Sequence, residues 1–228
     1  VHISDPSVVS LSQERRNFLG RAIMELCCRE VFEWNKMQTD PNFGNYLMRV
    51  GDDGKDKIVL LDFGAIRDFD DDVLGPGREM IRAAWLHDEA RLLHAMRALE
   101  CLDGEVPRRL LNDFAALCFE AIEALQDPDR FPPPESVVNE NGEYLWGESN
   151  LPNRVMNRAS RTALSVHFDV PPKEFIFLFR KLLGAYTFLH VIKAQVRGNT
   201  ILEPFIHMRE DEDRRRVAQK INGQTPNS

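Results

Sequence analysis

The first part of the sequence carries a helical pattern of apolar positions. Leu19, Ile23, Leu26 and Cys27 recur at the three- and four-residue spacing of an amphipathic helix. Residues 10–13 have the form of a capping box, so the pattern predicts one long helix over residues 12–35. Comparable patterns predict four more helices, at 74–98, 107–125, 153–167 and 172–196.

Two short runs of β-prone residues separate the first helix from the others. They cover residues 46–50 and 57–61 and flank a turn-forming Gly-Asp-Asp-Gly-Lys-Asp, which predicts a β-hairpin. The acidic turn also admits a calcium-binding alternative, but it lacks the full spacing of an EF-hand loop. Prolines and glycines between 126 and 152 predict a long surface loop. The predicted fold class is therefore mainly α with a small β-hairpin.

Composition narrows the function classes. The 228 residues are 43% hydrophobic and 29% charged, which is typical of a globular domain. The formal net charge of −7 argues against nucleic-acid binding, which needs a basic surface. The four cysteines lack CxxC spacing and lie in apolar contexts, which favours reduced, buried thiols. No apolar run reaches the ~18 residues of a membrane span.

The strongest chemical signal is a pair of motifs on either side of the hairpin. Asp40 stands five residues before Asn45, and Asp62-Phe63-Gly64 closes the second strand. Protein kinases present their catalytic-loop Asp, catalytic-loop Asn and DFG Asp in this order. Because antiparallel pairing closes the hairpin, Asn45 and Asp62 are expected at the same end of it, where they could share a metal ion.

Each of the three residues also has a structural alternative. Asp40 could orient or deprotonate an attacking hydroxyl or water, or it could form an Asp-Pro turn or helix cap. Asn45 could ligate magnesium, or its amide could satisfy turn backbone. Asp62 could bind the magnesium that bridges nucleotide phosphates, or it could simply supply turn chemistry. The combination of both motifs around one hairpin favours the kinase interpretation.

These segments resemble one family. Residues 37–42 (Met-Gln-Thr-Asp-Pro-Asn) and 60–65 (Leu-Leu-Asp-Phe-Gly-Ala) look like the atypical protein-kinase-like UbiB family, which is linked to ubiquinone biosynthesis. Residues 26–32, 170–172 and 180–184 are similar to further family segments, so the resemblance spans roughly residues 10–200.

The resemblance implies the helical C-terminal lobe of a kinase-like fold that binds ATP with Mg²⁺. It implies Asp40 as the catalytic residue and Asn45 and Asp62 as ligands of the metal and cofactor. ATPase activity coupled to a lipid or isoprenoid-quinone precursor is implied more than protein phosphorylation. The lobe is expected over residues 1–207, with the catalytic loop at 37–45, the hairpin at 46–61, the DFG turn at 62–64 and helices beyond. A charged, disordered tail is expected over 208–228.

The sequence also departs from ordinary kinases. Gln38-Thr39 stands where they have His-Arg, no Ala-Pro-Glu follows the DFG turn, and the N-lobe lysine and its glutamate partner do not appear. The sequence is therefore expected to be a piece of a longer protein whose missing N-lobe completes the site, and to be inactive alone. The alternative is a catalytically incompetent helical scaffold. Expected partners are ATP, the lipid precursor and a peripheral membrane contact, without nucleic acid. The expected location is the bacterial cytoplasm, near the inner membrane, or the matrix side of a mitochondrion.

Overall fold

The computed structural model describes residues 1–3, 5–40, 43–51, 55–99, 107–163 and 173–223. Helices make up most of these residues, and a short π-helical segment, Arg29–Trp34, extends the second of them. The helices are α1 (Pro6–Val9), α2 (Gln13–Cys28), α3 (Asp71–Trp85), α4 (Glu89–Ala98), α5 (Arg108–Ala121), α6 (Leu151–Ala163), α7 (Lys173–Val191), α8 (Asn199–Ile206) and α9 (Glu210–Gly223).

The strands of the described residues form three antiparallel pairs. The predicted hairpin is confirmed: β2 (Tyr46–Arg49) pairs with β3 (Lys57–Leu60). β1 (Lys36–Gln38) pairs with β4 (Ile66–Asp68), and β5 (Tyr144–Leu145) pairs with β6 (Gln195–Val196). Around them, the main core packs α2 against α7 and α8, with Leu19, Phe188 and Leu202 buried.

The hairpin turn bears on the calcium alternative. Residues 52–54 lie outside the described residues. Asp56, at the far end of the turn, is buried and binds the Arg15 guanidinium on α2 at 2.5 and 2.8 Å. This bidentate pair lowers the pKa of Asp56, chiefly through the hydrogen bond from Arg15. Asp56 therefore holds the hairpin against α2.

The prediction of a single helix over 74–98 is wrong. The structure has α3 and α4, separated by a turn in which His87 adopts a positive φ of 55°. Asp88 then caps α4, because its side chain accepts the Arg91 N–H at 2.9 Å. Apolar periodicity continues through both helices, so the pattern alone does not reveal the break.

The prediction of a disordered tail from residue 208 is wrong for residues 210–223, which form α9; residues 224–228 lie outside the described part. Asp213 and Val217 are buried where α9 packs against α3 and α4. The four acidic residues of its first turn suit the positive end of a helix dipole. The charged composition of this segment does not reveal α9, because the buried face of the helix is held by an ion pair.

The loop prediction for 126–152 also needs correction. Residues of this segment form β5 and begin α6, and Trp146 is almost wholly buried in the core beside Tyr186. The Tyr144 hydroxyl contacts Glu123 at 2.6 Å and Ser149 at 2.7 Å. Buried aromatic side chains therefore fix part of a segment whose prolines and glycines predict a surface loop.

Candidate active site

The strand pairs bring the two motif segments together. The hairpin β2–β3 separates Asn45 from Asp62, and β1–β4 joins the chain before Asp40 to the chain after the DFG turn. At the open end of the hairpin, the Leu61 N–H donates to the Asn45 carbonyl at 3.0 Å. Asn45 and the segment that carries Asp62 therefore lie side by side, as the hairpin prediction expects.

Asp40 and Asn45 contact each other directly. The Asn45 Nδ2 donates to Asp40 Oδ2 at 3.0 Å, and both side chains are half-buried. A carboxylate can only accept here, so the contact directs the amide nitrogen of Asn45 toward Asp40. The amide oxygen of Asn45 is then the atom suited to bind a cation.

Asp62 is exposed, and its two carboxylate oxygens have different surroundings. Its Oδ1 accepts the Gly64 N–H at 2.7 Å, which is the Asx-turn chemistry of the structural alternative. Its Oδ2 has no hydrogen-bond partner among the described residues. A Cβ on Gly64 would lie only 3.1 Å from Asp62 Oδ1, so glycine keeps this turn tight. The turn thus holds the carboxylate in place while one oxygen faces solvent.

Gln38 and Thr39 join the two motifs, a role that the sequence reasoning missed. The Gln38 amide donates to the Asp62 carbonyl and accepts the Asp40 N–H. The Thr39 N–H and hydroxyl both donate to the Ala65 carbonyl, at 3.1 and 2.9 Å. Both residues lie directly before Asp40 and are buried, and buried polar groups need hydrogen-bond partners.

The sequence is similar to known atypical kinases. Residues 1–96 match the family model of the ABC1 atypical kinase-like domain. Over 197 residues the chain is 30% identical to "Atypical kinase COQ8B, mitochondrial" of Rattus norvegicus, covering 86% of this chain and 34% of that protein. Residues 1–96 of the chain therefore belong to the ABC1 atypical kinase-like family.

Other relatives support the same family. Over 78 residues the chain is 44% identical to "Atypical kinase COQ8, mitochondrial" of Saccharomyces cerevisiae, covering 34% of this chain and 15% of that protein. The chain spans about a third of the length of the first curated relatives. Rv3197 of Mycobacterium tuberculosis, solved in complex with erythromycin, shares the fold at 16% identity with a TM-score of 0.55, covering 87% of this chain and 45% of that one. The predicted fold class, a mainly helical lobe of a kinase-like fold, is confirmed.

A buried ion pair supports both ends of the loop that carries Asp40. The Lys181 ammonium on α7 lies 2.6 Å from the Glu30 carboxylate and 3.3 Å from the Tyr46 hydroxyl. The Glu30 carboxylate also accepts the Gln38 N–H. Gln38 precedes the loop and Tyr46 follows it, so one buried charge pair ties both ends of the loop to α7 and to the π-helical segment after α2.

Burial and charge act against each other on Lys181. Burial has the largest single effect and lowers the pKa of the ammonium, but its neighbours together, with the negative charge of Glu30 foremost, outweigh burial and raise the pKa above 10.5. Burial also raises the pKa of the neighbouring Cys27 thiol to about 12, so Cys27 is neutral at physiological pH. Burial raises the pKa of the Glu30 carboxyl as well, and the positive charge of Lys181 opposes that shift.

Glu30→Gln tests this support. We expect the variant to lose about 2 kcal/mol of unfolding free energy at neutral pH, because Lys181 loses its counter-charge but keeps an acceptor. A raised lysine pKa stabilises the fold fully below the unfolded value of 10.5 and loses that contribution above it. The difference between wild type and variant should therefore shrink as pH rises past 10.5, measured by urea unfolding. A difference that stays constant through this range contradicts the ion pair.

The surface next to the DFG turn is apolar. Leu61 is 50% exposed and Phe63 59% exposed, and Ile66 on β4 is also exposed.

No helix in the described part of the chain is long and apolar enough to span a membrane. The described residues contain no group of three or more His, Cys, Asp or Glu arranged to hold a metal ion. Asn45 offers an amide oxygen and belongs to none of these four residue types.

Proposed function

We propose that this chain is the catalytic-loop lobe of a magnesium-dependent ATPase or atypical kinase that acts in ubiquinone or related isoprenoid-lipid metabolism. The observation that carries the proposal is the direct contact of Asp40 with Asn45, at the hairpin end from which Asp62 emerges. Phosphoryl-transfer enzymes group a catalytic Asp with two metal-binding residues, and this grouping supports the proposal. The names of the mitochondrial atypical kinases similar to this chain support the same class.

The residues present fit magnesium. Asn45 and Asp62 offer an amide oxygen and a carboxylate, and Mg²⁺ prefers oxygen ligands and keeps several waters. When bound, Mg²⁺ neutralises charge on the phosphates of ATP. In the proposal, Asp40 orients the attacking hydroxyl or water and accepts its proton. Asn45 holds the Asp40 carboxylate at 3.0 Å, and Gln38 holds the backbone of both motifs.

The exposed Leu61 and Phe63 fit this proposal, because a nucleotide site needs a covering surface above the metal ligands. We propose that the nucleotide-covering part of the full-length protein packs here.

The proposed partners of the full-length protein are ATP and a lipid or isoprenoid-quinone precursor, with a peripheral membrane contact. The relatives' names support the matrix side of a mitochondrion; the bacterial alternative is the cytoplasm near the inner membrane. Co-sedimentation of the full-length protein with phospholipid vesicles tests the membrane contact, and a protein that stays in the supernatant contradicts it.

Asp40→Ala tests the catalytic role in the full-length protein. We expect kcat for ATP hydrolysis to fall at least ~100-fold, the usual contribution of a positioned acid–base group. The Kd for Mg-ATP should change by less than about threefold, because Asp40 acts on the attacking group. Turnover assays and titration calorimetry measure the two quantities.

Asp5→Ala is the matched control. Asp5 caps α1 by accepting the Ser7 N–H at 2.9 Å, so the same substitution removes a structural Asp that belongs to neither motif. We expect it to lower the melting temperature and leave kcat unchanged. If Asp40→Ala behaves in the same way, the turn alternative holds and the chain serves as a scaffold.

A further inference from the structure

An apolar cavity of about 330 Å³ lies among α2, α3, α5, α6 and α7. Its described lining is apolar apart from thiols and the Thr162 hydroxyl, and it includes Leu117, Ala121, Phe175 and Phe179. Ligand pockets in proteins occupy roughly 300–1,000 Å³, so the volume suits a small molecule or one chain of a larger one. An apolar cavity of this kind excludes water and accepts hydrocarbon.

A basic cleft of about 740 Å³ lies next to this cavity, between α5 and α6. It is lined by four arginines and two carboxylates, which leaves an excess of two positive charges. Arg158 and Arg154 already pair with Glu120, at 2.5 and 3.3 Å. Arg109 and Arg161 form no ion pair with any described residue. The cleft therefore offers two guanidinium groups to an anion.

Thr162 connects the two spaces, because it lines both of them. It is buried near the end of α6, and its hydroxyl donates to the Arg158 carbonyl at 3.1 Å. Arg158 and Arg161 thus lie on the same helix as Ala159 and Thr162, which line the cavity. A molecule that fills the cavity and emerges past Thr162 meets the arginines.

We propose that this composite site binds a single-chain amphiphile with an anionic headgroup, such as a long-chain phosphate or carboxylate. The hydrocarbon chain occupies the cavity, and the headgroup binds Arg109 and Arg161. The site lies on the helical side of the lobe, and none of Asp40, Asn45 and Asp62 lines it. It goes beyond the proposed function, and binding can be measured whether or not the protein hydrolyses ATP.

Three probes separate the contributions of chain and charge. Dodecyl phosphate carries both, 1-dodecanol carries the chain alone, and inorganic phosphate carries the charge alone. In calorimetry on the full chain, below the micellar concentration, we expect dodecyl phosphate to bind with one-to-one stoichiometry and a negative heat-capacity change. It should bind about tenfold more tightly than dodecanol, with phosphate the weakest. Equal affinity of the two dodecyl probes, or no saturable binding, overturns the proposal.

Variants locate the two halves of the site. Arg161→Gln should weaken dodecyl phosphate about tenfold and leave dodecanol unchanged, whereas Arg215→Gln, an exposed arginine on α9, should change neither. Ala121→Leu should fill the cavity and weaken both dodecyl probes at least about tenfold. If the Ala121→Leu variant does not fold, Ala159→Leu replaces it as the variant that fills the cavity. Binding that survives the filling variant shows adsorption elsewhere, for example at the exposed Phe63, and overturns the proposal.

Discussion

Asp62→Asn is expected to abolish magnesium-dependent ATP hydrolysis in the full-length protein while leaving the fold intact. The substitution removes the charge of the proposed ligand but keeps an oxygen that can accept the Gly64 N–H, now 2.7 Å from Asp62 Oδ1. Because Asp62 is exposed and fills no core space, the unfolding free energy should change by less than ~0.5 kcal/mol. Loss of the metal's charge stabilisation is worth several kcal/mol, or about a thousandfold in turnover.

Asp68→Asn provides the matched control for this experiment. Asp68 is also an exposed carboxylate, six residues along the chain, but it pairs with Lys36 on the neighbouring strand at 2.6 Å. Exposed ion pairs contribute at most ~1 kcal/mol, and we expect no change in hydrolysis. Initial rates across a magnesium titration make the comparison. Near-normal turnover of Asp62→Asn at saturating magnesium would remove Asp62 from the metal site.

The parts of this lobe that the sequence predicted are those set by local pattern. The α2 helix follows from its apolar spacing, and the hairpin follows from two β-prone runs around a turn. The neighbourhood of Asn45 and Asp62 then follows from pairing geometry, since antiparallel strands return the chain to its starting end. Local sequence patterns were therefore sufficient to predict where the two candidate metal ligands lie.

The parts that the sequence did not predict depend on contacts between distant residues. Glu30 and Lys181 are 151 positions apart in sequence, and neither is marked as buried by its residue type. The pairing of β1 with β4 involves strands of three residues, too short to show an alternating pattern. α9 was hidden because its buried face is anchored by a carboxylate, Asp213, where a pattern search looks for apolar side chains.

Asp213→Asn is expected to produce the largest loss of stability, about 3–5 kcal/mol of unfolding free energy. Asp213 and its partners Arg78 and Arg82 are almost completely buried. Its Oδ1 lies 2.6 Å from Arg78 Nη2, and its Oδ2 lies 2.9 Å from Arg78 Nε and 2.7 Å from Arg82 Nη1. Removing the carboxylate charge leaves two buried guanidinium groups undercompensated, which is the costly way to break a buried ion pair.

Asp211→Asn, an exposed acid on the same helix, is the control and should change the unfolding free energy by less than ~0.5 kcal/mol. Urea unfolding at neutral pH compares the two variants; similar small losses in both would mean that α9 contributes little to the fold.

The hydrogen-bond network of Asp213, Arg78 and Arg82 also reaches the candidate site. Arg78 Nη1 donates to Asn35 Oδ1 at 3.0 Å, and the Asn35 carbonyl accepts the Phe69 N–H at 2.9 Å beside the β1–β4 pair. Asp213→Asn should therefore loosen the strands that hold Gln38 and Ala65, and lower ATP turnover of the full-length protein at temperatures where the lobe remains folded.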